Sequence, residues 1–220
     1  MSDFFTLDGP SLGPAAGGRA RSLVVLLHGL GADGNDLIEL APYWAEQLPS
    51  TAFVSPHAPF PCDMAPYGRQ WFSLQDRDPH RMLAGVAAAA PILDAFLDAQ
   101  LETHRLDASA LALVGFSQGT MMSLHVAPRR PRAAAAVVGF SGSLVGGDAL
   151  GAEVKSRPPV LLVHGDADPV VPFAAMGAAR DALTAVGIEV MTERRPGLVH
   201  SIDPQGLAKA GAFLARCLPR

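Results

Sequence analysis

The 220-residue chain has only two cysteines, Cys62 and Cys217, far apart and with no Cys-x-x-Cys spacing. Such a pair reads as two free thiols rather than a disulfide, which suits a cytoplasmic protein. Charge is also sparse. Charged residues make up 17% of the chain, the formal net charge is −4, and no run of lysine or arginine is present that would track phosphates. A nucleic-acid partner is therefore not expected. The opening stretch, MSDFFTLDGPSLGPAAGGRARS, lacks a basic segment followed by an apolar core, so no secretory signal is read there. The longest uncharged apolar stretch, Met82 to Leu93, is too short to span a bilayer and contains Pro91, so stable membrane insertion is not expected. There is no internal repeat and no long low-complexity tract. What is present is a 49% hydrophobic composition in a length that suits one domain with a sizeable core.

Six short apolar runs read as strands: Ser22–Leu27, Thr51–Ser55, Ala110–Gly115, Ala134–Phe140, Pro159–Val163 and Glu189–Arg194. Most are apolar throughout rather than alternating, as strands covered on both faces should be. Residues 4 to 8 are a candidate edge strand, and the Gly/Pro/Ala-rich stretch up to residue 20 reads as a partly flexible lead-in. Helical patterns lie between the runs, at Asp36–Gln47, His80–Thr103, Gln118–Ala127, Phe173–Val186 and Pro204–Cys217. Pro91 is expected to kink or restart the second of these. Asp203 followed by Pro204 reads as an N-cap and an N1 proline. Strands alternating with helices imply a single α/β domain with a mostly parallel central sheet and helices on both faces. Functional groups in such sheets collect beyond the carboxyl ends of the strands. One long loop, 56 to 79, carries five prolines along with Met64, Tyr67, Trp71 and Phe72. Burial of those four side chains is expected to order it. No room is left for a large cap domain.

The candidate chemistry starts at Gly115-Phe116-Ser117-Gln118-Gly119. The pattern G-x-S-x-G after a strand and before a helix is a nucleophile elbow, a sharp turn that needs small neighbours and lifts the serine oxygen above the sheet. The triplet recurs at Gly139-Phe140-Ser141. There, the position two after the serine is Ser143 instead of glycine, and the following LVGGDALG breaks a helix, so Ser117 is preferred over Ser141 as nucleophile. A serine hydroxyl needs a base to take its proton, and the base needs an acid to hold its tautomer. After the strand at 159–163 come Asp166 and Asp168. Asp168, two residues deeper in the loop, is the expected acid, while Asp166 is expected to brace the turn. Of seven histidines, His200 alone follows Asp168, in a loop before the last helix, and it is the expected base. His28, His125 and His164 read as packing or bracing residues. The expected oxyanion donors are the backbone N–H of Gln118, at a helix N-terminus, and that of Leu30 in His28-Gly29-Leu30-Gly31.

Taken together, LHGLGADGNDL at 27–37, GFSQG at 115–119, HGDADPVVP at 164–172, His200 and the aromatic loop ending GRQWFSL at 68–74 resemble the phospholipase/carboxylesterase family of α/β hydrolases, which includes the acyl-protein thioesterases. The resemblance runs from about residue 20 to 217. It implies an α/β-hydrolase fold without a large lid, a Ser117–His200–Asp168 triad, and an oxyanion hole from Leu30 and Gln118. The implied reaction is hydrolysis of a carboxylic ester or thioester, with a small-molecule ester or acyl substrate and neither cofactor nor metal. It further places part of the 56–79 loop beside the acyl pocket, making Trp71, Met64, Phe72 and Phe173 the expected pocket residues. A homodimer is left open, and so is a non-catalytic binding protein on the same fold.

Overall fold

A computed structural model describes residues 7–219. Its central sheet has seven strands: β1 (Ser11–Leu12), β2 (Ser22–Leu27), β3 (Thr51–Val54), β6 (Leu111–Phe116), β7 (Ala136–Phe140), β8 (Val160–Gly165) and β9 (Val190–Arg195). A small hairpin of β4 (Phe60–Pro61) and β5 (Arg69–Gln70) stands apart from it. The order across the sheet is β1-β3-β2-β6-β7-β8-β9. Every neighbouring pair is parallel except β1 with β3, where Ser11 opposes Val54. The edge strand expected at 4 to 8 lies largely outside the described residues. The edge is formed instead by Ser11–Leu12, inside the stretch read as a lead-in.

The helices are α1 (Gly34–Ile38), α2 (Ala41–Ala45), α3 (Pro79–His104), α4 (Gln118–Val126), α5 (Leu150–Glu153), α6 (Ala174–Ala185) and α7 (Pro204–Cys217). The single helix expected over Asp36–Gln47 is split into α1 and α2. Pro42 supplies the reason: its ring clashes with the carbonyl four residues back, at Ile38, and it has no N–H to give that carbonyl. Pro91, by contrast, lies inside an unbroken α3, which ends at Arg105 in the left-handed region (φ 53°). By length and composition α3 is apolar enough to cross a membrane. It lies instead along the sheet against α4 and β2, burying Val86, Leu93 and Leu97.

The alternation of side chains along each strand sorts the core into two layers. Leu23, Val25, Leu27, Leu111 and Leu113 face α3, α4 and α6. Val24, Leu26, Ala112 and Val114 face α2 and α7. Both layers are dry, which is why these strands show no polar face in the sequence. Each buried leucine or valine contributes about 1.5–3 kcal/mol through water exclusion. Trp44 of α2 is buried and its indole N–H donates to the Leu207 carbonyl (2.9 Å), tying α2 to α7.

Candidate active site

The loops that leave β2, β6, β8 and β9 meet at one end of the sheet. Ser117 sits between β6 and α4 with φ 53° and ψ −113°, a strained conformation for a side-chain-bearing residue. Flanking glycines make the turn possible. A Cβ on Gly115 would lie 2.4 Å from the Gly119 backbone, and one on Gly119 would lie 1.8 Å from the Leu27 carbonyl oxygen. The Ser117 N–H donates to the Phe140 carbonyl (2.9 Å), anchoring the elbow to β7.

His200 follows β9 in a loop that the β8 loop holds in place. Gly165 lets this loop come close: a Cβ there would lie 2.1 Å from the Leu198 carbonyl oxygen, which accepts the Ala167 N–H at 3.1 Å. Asp166 accepts the Gly197 N–H (2.6 Å) and pairs with Arg194 (2.6 Å). These two interactions, the backbone bond foremost, hold its carboxyl below the ordinary range. Asp166 thus braces the loop that carries His200, and it makes no contact with the imidazole.

Asp168 has a fully buried side chain and accepts from His200 Nδ1 (2.7 Å) on Oδ2. Its Oδ1 accepts the Val170 and Val171 N–H groups (2.8 and 2.9 Å). Burial pushes this carboxyl up. The hydrogen bonds from His200, Val171 and Val170 together outweigh burial, so it lies below the ordinary range and is ionised at neutral pH. A carboxylate can only accept, so His200 Nδ1 carries the proton, and in the neutral ring it is Nε2 that offers the lone pair. A second imidazole reaches the same oxygen. His164 Nε2 is 3.3 Å from Asp168 Oδ2 and 3.0 Å from the Val171 carbonyl oxygen. Two acceptors around that nitrogen require it to be protonated. In the sequence His164 reads only as a packing or hydrogen-bonding residue at a strand end.

Ser117, His200, Gly29 and Leu30 line one cavity of about 330 Å³, whose walls are otherwise mostly apolar. The Leu30 amide lies in a loop whose neighbours are tied down: Gly31 N–H donates to the Arg69 carbonyl and Arg69 N–H to the Ala32 carbonyl (2.9 and 2.8 Å). The Gln118 amide opens α4, where the first N–H groups have no intrahelical acceptor.

Four expected pocket residues do not line this cavity. Trp71 and Phe72 are buried in the core, Met64 is 50% exposed, and Phe173 packs edge-on against His164 (centroids 6.0 Å). Tyr67 is also exposed, at 77%, so the burial of Met64 and Tyr67 does not order the 56–79 loop. Backbone pinning orders it instead. Arg69 donates to the Ala58 and Pro59 carbonyls (2.6 and 2.9 Å). The buried side chain of Gln118 accepts the Trp71 N–H and donates to the Phe72 carbonyl (both 2.8 Å). The Trp71 indole donates to the His28 carbonyl (3.1 Å). His28 completes the cluster: Nδ1 donates to the Gly29 carbonyl (2.7 Å) and Nε2 accepts the Ala58 N–H (3.0 Å). Burial pushes its pKa down to about 4, in keeping with that neutral tautomer. The aromatic and amide groups of the loop therefore support the site from behind; the cavity walls come from Leu74, Met82, Met121, Val171 and Ala175.

The parallel sheet and the serine elbow define an α/β hydrolase of the serine carboxylesterase type. The phospholipase/carboxylesterase profile matches residues 15–218, and the chain belongs to that family. It is 30% identical over 201 residues to esterase YpfH of Escherichia coli (strain K12), an alignment covering 91% of this chain and 85% of that protein. It is 26% identical to an acyl-protein thioesterase 1 of Gibberella zeae, with 96% of each chain covered. The crystal structure of esterase PE8 superposes with a TM-score of 0.93 at 43% identity, covering 97% of this chain and all of that one. The protein is a carboxylic ester hydrolase.

Proposed function

We propose that this enzyme is a carboxylesterase acting on esters with short acyl groups through Ser117, His200 and Asp168. The observation that carries the reading is the pairing of His200 Nδ1 with the buried Asp168 carboxylate (2.7 Å), while His200 and the strained Ser117 face one cavity. His200 Nε2 takes the Ser117 proton as the serine oxygen attacks the ester carbonyl carbon. The imidazolium that forms is stabilised by Asp168. The Leu30 and Gln118 amides donate to the oxyanion, with the N-terminal end of α4 adding favourable field. The tetrahedral species collapses, the C–O bond breaks, and His200 gives its proton to the departing alcohol. Water, deprotonated by His200, then attacks the acyl-enzyme and releases the acid. The free thiols Cys62 and Cys217 suit a reducing compartment, in keeping with a cytoplasmic location.

Cavity size separates this reading from a long-chain thioesterase or lysophospholipase using the same residues. At the ~30 Å³ that one water occupies in the liquid, the cavity holds about ten non-hydrogen atoms. A long acyl chain would have to leave it. The test is hydrolysis of ester and thioester series of increasing acyl length by wild type and Ser117→Ala. A loss of about 10⁴-fold or more on Ser117→Ala, with the wild-type optimum at short esters, is expected. Wild-type rates in Ser117→Ala refute the nucleophile assignment, and an optimum at long thioesters refutes the substrate class.

A further inference from the structure

The cavity at Ser117 contains one permanent charge. Arg77, at the end of the 56–79 loop, lines it beside Leu74, Met82 and Met121, and no carboxylate does so among the described residues. Arg77 lies between two acids, but both are committed elsewhere. Asp76 pairs with Arg81 (2.9 Å) and accepts the Asp78 N–H (2.9 Å). Asp78 caps α3 by accepting the His80 and Arg81 N–H groups (3.0 and 3.2 Å). Among the described residues the Arg77 side chain has no hydrogen-bond or ion-pair partner. A second hollow, which shares Phe116 and His200 with the first, has the opposite charge, lined by Asp36 and Glu39.

Given the esterase reading above, on which this inference rests, we propose that Arg77 selects esters whose acyl group ends in a carboxylate, that is, half-esters of short dicarboxylic acids. An anion entering an apolar cavity loses hydration and is rejected unless a cation compensates. Arginine is suited to this because its planar fork meets a carboxylate with two parallel N–H donors. The cavity volume suits an acyl group of roughly the size of an adipoyl unit, which has about nine non-hydrogen atoms against the ten or so the volume admits. An anion on the alcohol arm that entered the second hollow would meet Asp36 and Glu39 and be repelled.

The test compares kcat/KM for monoethyl adipate with that for the ethyl ester in which an isopropyl group replaces the free carboxylate, using wild type, Arg77→Lys, Arg77→Gln and Arg77→Glu. Arg77 is exposed, and circular dichroism with active-site titration by a phosphonate ester counts the folded sites in each variant. The ratio of the two rates is expected to fall about fivefold in Arg77→Gln, the upper range for a solvent-exposed pair. It should fall further in Arg77→Glu, fall less in Arg77→Lys than in Arg77→Gln because lysine keeps the charge but not the fork, and shrink with added salt in wild type. A ratio unchanged within twofold in both Arg77→Gln and Arg77→Glu overturns the inference. An ester carrying its carboxylate on the alcohol arm should be no better than its neutral counterpart in wild type; a preference for it over monoethyl adipate also overturns the inference. Ser117→Ala run on the neutral ester keeps the two levels apart: activity surviving there defeats the esterase reading itself, whereas a flat ratio with Ser117-dependent hydrolysis defeats only the role of Arg77.

Discussion

Replacing Gln118 by alanine removes one buried side chain and orphans two backbone groups. The Gln118 side chain is fully buried, and its amide bridges the Trp71 N–H and the Phe72 carbonyl at 2.8 Å each. Trp71 and Phe72 are themselves buried, so neither group regains a partner from bulk water. Each orphaned group costs about 1–3 kcal/mol, so the variant should lose about 2–6 kcal/mol of stability. For a domain of this length, 1 kcal/mol lowers Tm by about 2–4 °C. A central loss of about 4 kcal/mol therefore predicts a fall of about 8–16 °C in a thermal melt, with a matching drop in urea midpoint. Gln118→Glu refines the test. A protonated carboxyl can accept from Trp71 N–H and donate to the Phe72 carbonyl; an ionised one can only accept. Burial raises the folded-state pKa of such a carboxyl above its unfolded value near 4.3. Its stabilisation is then fully present below pH ~4 and is lost as pH rises through the folded value. The gap to wild type should widen from pH 4 to pH 8. A Gln118→Ala melt within 2 °C of wild type, or a Gln118→Glu gap independent of pH, refutes the pinning argument.

Protonation of buried histidines should drive acid unfolding. Burial pushes both His28 and His125 down to about 4, against an unfolded value of 6.5, so unfolding takes up protons between those limits and stability falls as pH drops through that window. Two such groups give a slope of up to about 2.7 kcal/mol per pH unit near pH 5; urea titrations in wild type and His28→Gln should show it, with a shallower slope in the variant. Asp168→Asn should cut turnover about 10⁴-fold by presenting an amide to His200, whereas Asp166→Asn, which keeps an acceptor for the Gly197 N–H, should cost less than about tenfold. Equal losses in steady-state ester hydrolysis would contradict the different placement of the two acids. Gly119→Ala puts a Cβ 1.8 Å from the Leu27 carbonyl and should destabilise by about 3 kcal/mol or more, since backbone must move. Gly177→Ala in α6 meets nothing within 4 Å and should stabilise by about 0.5–1 kcal/mol by calorimetry.

Local chemistry is enough to place several elements without coordinates. The apolar β-branched runs become β2, β3, β6, β7 and β8 within one or two residues at most ends, because strands covered on both faces need continuous apolar sequence, whereas the edge strand β9 is partly exposed and carries Thr192, Glu193, Arg194 and Arg195. Asp203 before Pro204 marks the start of α7, and its carboxylate caps the Gly206 N–H as that pairing requires. The second glycine distinguishes Ser117 from Ser141 for a steric reason visible in the fold: only hydrogen fits between residue 119 and the Leu27 carbonyl. Yet Ser141 also adopts positive φ (46°) at the end of β7, so backbone strain alone would not separate them.

Chain order and residue type by themselves selected Ser117, Asp168 and His200 as candidates, because an elbow, a post-strand acid and a late histidine are local patterns. The lining of the cavity was decided only by tertiary structure. The family resemblance offered Trp71, Met64, Phe72 and Phe173 as pocket residues, but a side chain's type does not say whether it faces the core, the solvent or the ligand. The 56–79 loop turns on hydrogen bonds to Gln118 and His28, partners remote in sequence, and on Arg69 within the loop itself, and these bury Trp71 and Phe72 behind the site while leaving Met64 outside. The end of the same loop sets Arg77 at the cavity wall, and the turn after β8 folds Asp168 back on His164, placements that residue type alone does not signal.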